Sequence, residues 1–182
     1  MNNETISKLD RCLRTNPILF TGAGFSLGAT NASGNNLPSG WELKIIMLTK
    51  LLGYKEGDDD FNECLQYTLS DLCTYAKTEK SENVVNDFIV EQFIGCEPKP
   101  FHKKLAGSRL WKKVYTINID DLFENSAPKS RLAVQNMPRQ ISYTGAKQIE
   151  YIKLHGCVNN RAEGVVFSRS EYIDSMLQSQ DY

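Results

Sequence analysis

Pro17-Ile18-Leu19-Phe20-Thr21-Gly22-Ala23-Gly24-Phe25-Ser26 runs from an apolar segment straight into a glycine-rich turn. Proline suits the first position of the strand that Ile18-Leu19-Phe20 predicts, because its missing N–H costs no ladder bond there. A strand that ends in a Gly-x-Gly turn is one way to bring backbone N–H groups up to a phosphate. The plainer alternative is a tight turn that holds nothing. Gly22 and Gly24 permit close backbone approach and positive φ angles. Gly28 falls one residue late for the full GxGxxG spacing.

Two further apolar runs end in polar signatures. Val114-Tyr115 leads into Thr116-Ile117-Asn118-Ile119-Asp120, followed by Asp121, and Tyr151-Ile152 leads into Lys153-Leu154-His155-Gly156. Asn118 both donates and accepts, which suits a ribose hydroxyl, a carboxamide or a positioned water. Asp120 or Asp121 equally suits a cap on the helical turn expected at 120–125. His155 at a strand end suits a general base near neutral pH. The second histidine, His102, lies on a short expected helix at 101–105 and reads as structural. In a doubly wound sheet, ligands bind beyond the carboxyl ends of the strands. Three polar signatures at three such ends therefore converge on one crevice.

Between the first two strands the pattern is helical. Ser39 caps a helix with Trp41, Ile45, Leu48 and Leu52 inward, ended by Gly53. Gly57-Asp58-Asp59-Asp60 leads into a second helix, with Phe61, Leu65, Leu69, Leu72 and Ala76 as its buried stripe. The three aspartates read as N-terminal helix charge, favoured by the dipole, rather than as a metal site. A third helix is expected at 81–94. An amphipathic helix at 5–15 precedes the first strand. Further strands are expected near 132–134, 141–143, 151–154 and 165–167, and Ser168 caps a last helix. Alternation of this kind predicts an α/β, Rossmann-like domain. Its largely parallel sheet would carry helices on both faces and a helical insertion at about 41–100.

With 182 residues, 41% hydrophobic and 24% charged, the chain fits one soluble domain with a sizeable core. A net charge of −1 supplies no basic field for nucleic acid or anionic lipid. No apolar run approaches the roughly 20 residues of a membrane span, and the N-terminus lacks a signal-peptide core. The cytoplasm is the expected compartment. The five cysteines form no CxxC pair, so free thiols are expected and a structural zinc site is not.

TGAGFS at 21–26, TINID at 116–120 and KLHG at 153–156 together resemble the sirtuin family of NAD-consuming enzymes, in order and separation. Pro38 falls where sirtuins carry a proline, and the resemblance spans roughly 15–175. It implies that Gly22, Ala23, Gly24, Phe25, Ser26, Thr116, Asn118, Asp120 and His155 bind NAD. It also implies that Asn118 positions the nicotinamide ribose and water, that Asp120 helps hold the carboxamide, and that His155 is the catalytic base.

The departures from the family are informative. Protein deacylases of the family carry two zinc-binding CxxC pairs after the HG motif, whereas only Cys157 follows here. Asn36-Leu37-Pro38-Ser39-Gly40-Trp41 replaces their GIPxFR. This zinc-less pattern resembles the sirtuin-like NADase domains of bacterial antiphage defence proteins. The resemblance then implies NAD as substrate, hydrolysis to nicotinamide and ADP-ribose, and a homo-oligomer or a partner sensor region. NAD-dependent deacylation, ADP-ribosyl transfer and a non-catalytic NAD- or ADP-ribose-binding module are the alternatives. The further strands expected for the adenosine half of NAD are not found, so the chain is expected to be the N-terminal part of a longer protein, and to be inactive if isolated without the rest.

Overall fold

The structure, a computed structural model, describes residues 3–136, 148–160 and 165–178. Helix α1 (Asn3–Leu13) precedes β1 (Ile18–Thr21), which enters a 3₁₀ turn (Ala23–Ser26). Five helices follow: α2 (Gly40–Ile46), α3 (Asp59–Leu65), α4 (Leu69–Glu79), α5 (Glu82–Phe93) and α6 (Pro100–Ala106). Then come β2 (Lys113–Thr116), α7 (Leu122–Ser126), β3 (Leu132–Asn136), β4 (Ile149–Lys153) and α8 (Arg169–Gln178).

The four strands form one parallel sheet in the order β1-β2-β4-β3. The register sets Thr21, Thr116, Lys153 and Asn136 level across it, each the last residue of its strand. The α/β, Rossmann-like architecture read from the alternation is the one observed. One sheet face is covered where Val114 and Tyr151 pack on Ala106, Phe123 and Ala127 from α6 and α7. On the other, Ile152 is buried while Ile18 and Phe20 of edge strand β1 are exposed.

The helices between β1 and β2 form their own core around Leu43, Met47, Leu72, Val85 and Ile89. Ile119, Val158 and Val165 join that core from the crevice side of the sheet. Ser39 caps α2 as expected, in a reciprocal capping box with Glu42. The buried stripe is only partly the expected one: Leu48 is buried as expected and Leu52 packs against the core. Trp41 is 56% exposed, whereas Leu43 and Met47 are buried. After Met47 the helix loosens into a π-type turn (Met47–Leu51), which adds a residue per turn and moves the phase.

The single helix expected from Phe61 to Ala76 is two helices. Thr68 accepts from Asp71 N and starts α4 afresh. The aspartate run places Asp58 at the N-cap and Asp59 and Asp60 in the first turn of α3, as the charge argument required. Near 165–167 there is no strand but one isolated bridge, Val165 to Gly156. The strand expected at 141–143 lies outside the described residues. Among the described residues, no helix is long and apolar enough to cross a membrane.

Candidate functional site

At the carboxyl edge of the sheet the three signatures meet. Gly22 leaves β1 in an extended conformation, φ −142° and ψ −165°, and the chain winds at once into the 3₁₀ turn. The left-handed conformation that glycine permits is not used at Gly22 or Gly24 and occurs at Gly28, φ 76°. A right-handed turn starting at Ala23 has no need of it earlier. Ala23 and Gly24 are exposed, and a Cβ built on Gly24 meets nothing within 4 Å. The turn therefore presents bare backbone to open space.

The Phe25 side chain points into the core, edge-on to His102 and tilted against Phe123. Its carbonyl accepts from His102 Nε2 at 2.7 Å. Because His102 Nδ1 accepts from Lys99 N at 2.9 Å, the ring proton sits on Nε2. Burial pushes the His102 pKa below its ordinary value. His102 is thus a neutral strut beneath the turn, structural as read from the sequence.

Ser26 is buried and central. Its hydroxyl donates to Asp120 Oδ2 at 2.7 Å and accepts from Asn118 Nδ2 at 2.9 Å. Asn118 Nδ2 also donates to the Gly22 carbonyl at 3.0 Å. With both donors of that amide used, Asn118 Oδ1 is the atom left for a ligand or a water. Thr116 Oγ1 donates to the Thr21 carbonyl and accepts from Asn118 N at 3.0 Å, tying β1 to the signature after β2.

Asp120 is buried. Its Oδ1 accepts from Leu122 N at 3.1 Å, so this residue secures the helical turn that follows. Burial raises its pKa, opposed by the Ser26 hydroxyl and by Lys153. Asp121 has a different task. Its two oxygens accept from Gly95 N at 2.9 Å and Cys96 N at 2.8 Å, clamping the end of α5 to the crevice wall. Gly95, at φ 66°, is itself pressed against Ala32.

His155 follows β4 and is half-buried. Leu154 N donates to the Thr116 carbonyl and Val158 N to the Ile119 carbonyl, at 2.9 and 3.0 Å, so the segments carrying His155 and Asn118 lie side by side. Gly156 turns the chain at φ 79°. Burial lowers the His155 pKa, opposed by a hydrogen bond to the Ile117 backbone. Its imidazole is neutral at pH 7 and able to take a proton.

Lys153 and Glu124 were not singled out from sequence. Lys153 is fully buried, donates to the Asp120 carbonyl, and pairs with Glu124 Oε1 at 2.8 Å. Burial disfavours its charge, yet Glu124 holds its pKa above the ordinary value. A lysine inside the apolar run Tyr151-Ile152-Lys153-Leu154 was the available signal.

Polar groups gather along the crevice at the strand ends. It offers an exposed glycine turn, a neutral imidazole and an amide oxygen. Two buried oxygens without partners, Thr21 Oγ1 and Asn136 Oδ1, also lie at its strand ends. Among the described residues, no group of three or more His, Cys, Asp or Glu is placed to hold a metal ion.

Residues 112–182 match the family model of the SIR2-like domain, which takes in two of the three signatures. No curated protein matches the chain.

Proposed function

We propose, from the sirtuin-like domain that residues 112–182 carry, that this protein hydrolyses NAD to nicotinamide and ADP-ribose. A SIR2-like domain points to NAD-related chemistry. The observation that carries the finer reading is the Ser26 node, which binds the glycine turn, Asn118 and Asp120 into one wall. His155 stands on the adjoining segment.

In this reading the backbone of Gly22, Ala23 and Gly24 receives the phosphates, with the turn's orientation fixed by His102 and Phe25. Cleavage of the nicotinamide–ribose bond develops oxocarbenium-like positive charge at the anomeric carbon. In this reading the Asp120 carboxylate, kept ordered by Ser26, favours that positive charge. Asn118 Oδ1 orients the ribose or the attacking water, since its amide hydrogens are committed to Gly22 and Ser26. His155 accepts the proton that the reaction releases, worth about 10²–10⁴-fold as general-base help. Asn36-Leu37-Pro38-Ser39-Gly40-Trp41, in place of the GIPxFR of the family's deacylases, favours water over an acyl-peptide as the acceptor. The resemblance to the sirtuin-like domains of antiphage defence proteins supports a place for the domain as an NAD-depleting effector, governed by a partner or by self-association.

Incubation of the protein with NAD, followed by chromatography, tests this. Nicotinamide and ADP-ribose are expected in equal amounts. His155→Ala and Asn118→Ala should each abolish NAD loss while leaving the circular dichroism spectrum unchanged. Nicotinamide release that requires an acetylated peptide would instead assign deacylation. NAD binding without nicotinamide release would assign a sensing module.

A further inference from the structure

Away from that crevice, one face of α5 presents Asn83, Asn86, Asp87 and Val90 at one-turn spacing. They line a cleft whose opposite side includes Asn160 and Val165, from the segment that follows His155. Its volume is about 250 Å³. That is below the range of pockets for drug-sized ligands and gives room for about a single small ring.

The lining has a definite chemical character. Three asparagines each offer a donor and an acceptor, and Asp87 adds a carboxylate. Val90 and Val165 add apolar surface. Among the described residues no lysine or arginine lines the cleft, and Asp87 puts a carboxylate there, which disfavours an anionic ligand. Asn86 Oδ1 is buried without a hydrogen-bond partner. A buried acceptor in that state costs stability until a donor reaches it.

We propose that this cleft is a second ligand site, for an uncharged polyhydroxylated molecule of single-sugar size. Hydroxyls supply the donor that Asn86 Oδ1 lacks and accept from the asparagine NH₂ groups. The C–H face of the ring covers the two valines. The occupant bridges α5 of the helical insertion and the segment just beyond His155, so its presence ties the insertion to the sheet. The assignment stands apart from the NAD chemistry, and its test uses no NAD.

The probe is D-ribose, titrated into ¹⁵N-labelled protein. Amide shifts are expected at residues 83–90 and 157–160, saturating in the millimolar range, with none there from inorganic phosphate at equal concentration. Asn86→Leu, similar in size but without the orphan acceptor, should weaken the ribose response about tenfold while keeping or raising Tm. Asn86→Ser serves as a second variant if leucine disturbs folding, with the same weakening expected. A wild-type protein whose α5 amides ignore ribose overturns the proposal. So does an equal response to phosphate, or unchanged ribose affinity in a folded Asn86 variant.

Discussion

Ser26 joins three segments through one hydroxyl, and its removal is the most informative single change at the site. Ser26→Ala leaves Asp120 Oδ2 without its donor and Asn118 Nδ2 without an acceptor. The buried carboxylate then loses the bond that opposes its burial. A loss of about 1–3 kcal/mol is expected in denaturant unfolding, together with slower NAD cleavage as Asn118 loosens. His155 sets a pH dependence. Its folded pKa lies below the ordinary 6.5 because burial disfavours the cation. The base is therefore fully available above pH 6.5 and is lost as pH falls through the lowered value. The rate of NAD cleavage should show an acid limb below pH 6.5, and an acid limb well above it would assign the base elsewhere. His102 shares the lowered direction, so both histidines favour folding at pH above 6.5 and withdraw that contribution as pH falls. At this scale the sequence named the segments that meet at the strand ends. It assigned no task to Lys153 or Glu124 and no clamp role to Asp121, because those tasks depend on neighbours 25 or more positions away.

The elements were legible in proportion to how local their causes are. Strands β1, β2 and β4 announced themselves as apolar runs bounded by polar turns, although β4 is the most buried of them and β1 leaves Ile18 and Phe20 exposed. The capping box of Ser39 and Glu42 is a four-residue signal and was found. At the start of α2 the inward face differs from the expected one because a π-type turn shifts the phase between it and the buried Leu48, and the Trp41 side chain is left to solvent beside Lys44. The break between α3 and α4 was missed although Thr68 and Asp71 carry a capping pattern, because the apolar stripe continues across it with little change of phase. The join between α5 and the crevice makes a prediction of its own. Asp121→Asn puts an NH₂ group against one of two backbone N–H donors that both need an acceptor. Hydrogen exchange at Gly95 and Cys96 should accelerate, with a loss of about 1.5–3 kcal/mol. Unchanged exchange at both amides would remove Asp121 as the clamp.

At the scale of the whole molecule, a buried charge pair holds the sheet to the crevice wall. Lys153→Met leaves Glu124 buried without its cation and should cost about 3–5 kcal/mol. That is a large share of the 5–15 kcal/mol typical of a folded domain. Lys153→Met combined with Glu124→Gln removes both charges and should recover most of that loss in denaturant unfolding. Failure to recover would show that the lysine's bond to the Asp120 carbonyl matters more than the pairing. The level strand ends carry a further consequence, for how such a chain can vary in length. Deleting one residue from β1, β2 or β4 draws its wall back by about 3.3 Å and turns its side chains to the opposite face. No substitution nearby restores the meeting of Ser26, Asn118 and His155. The stretch from α2 to α6 meets the crevice through His102 and through the amides that Asp121 holds. Residues gained or lost in the turn before α3 leave those anchors where they are. Insertions and deletions are thus tolerated where the helices lie and excluded where the strands end.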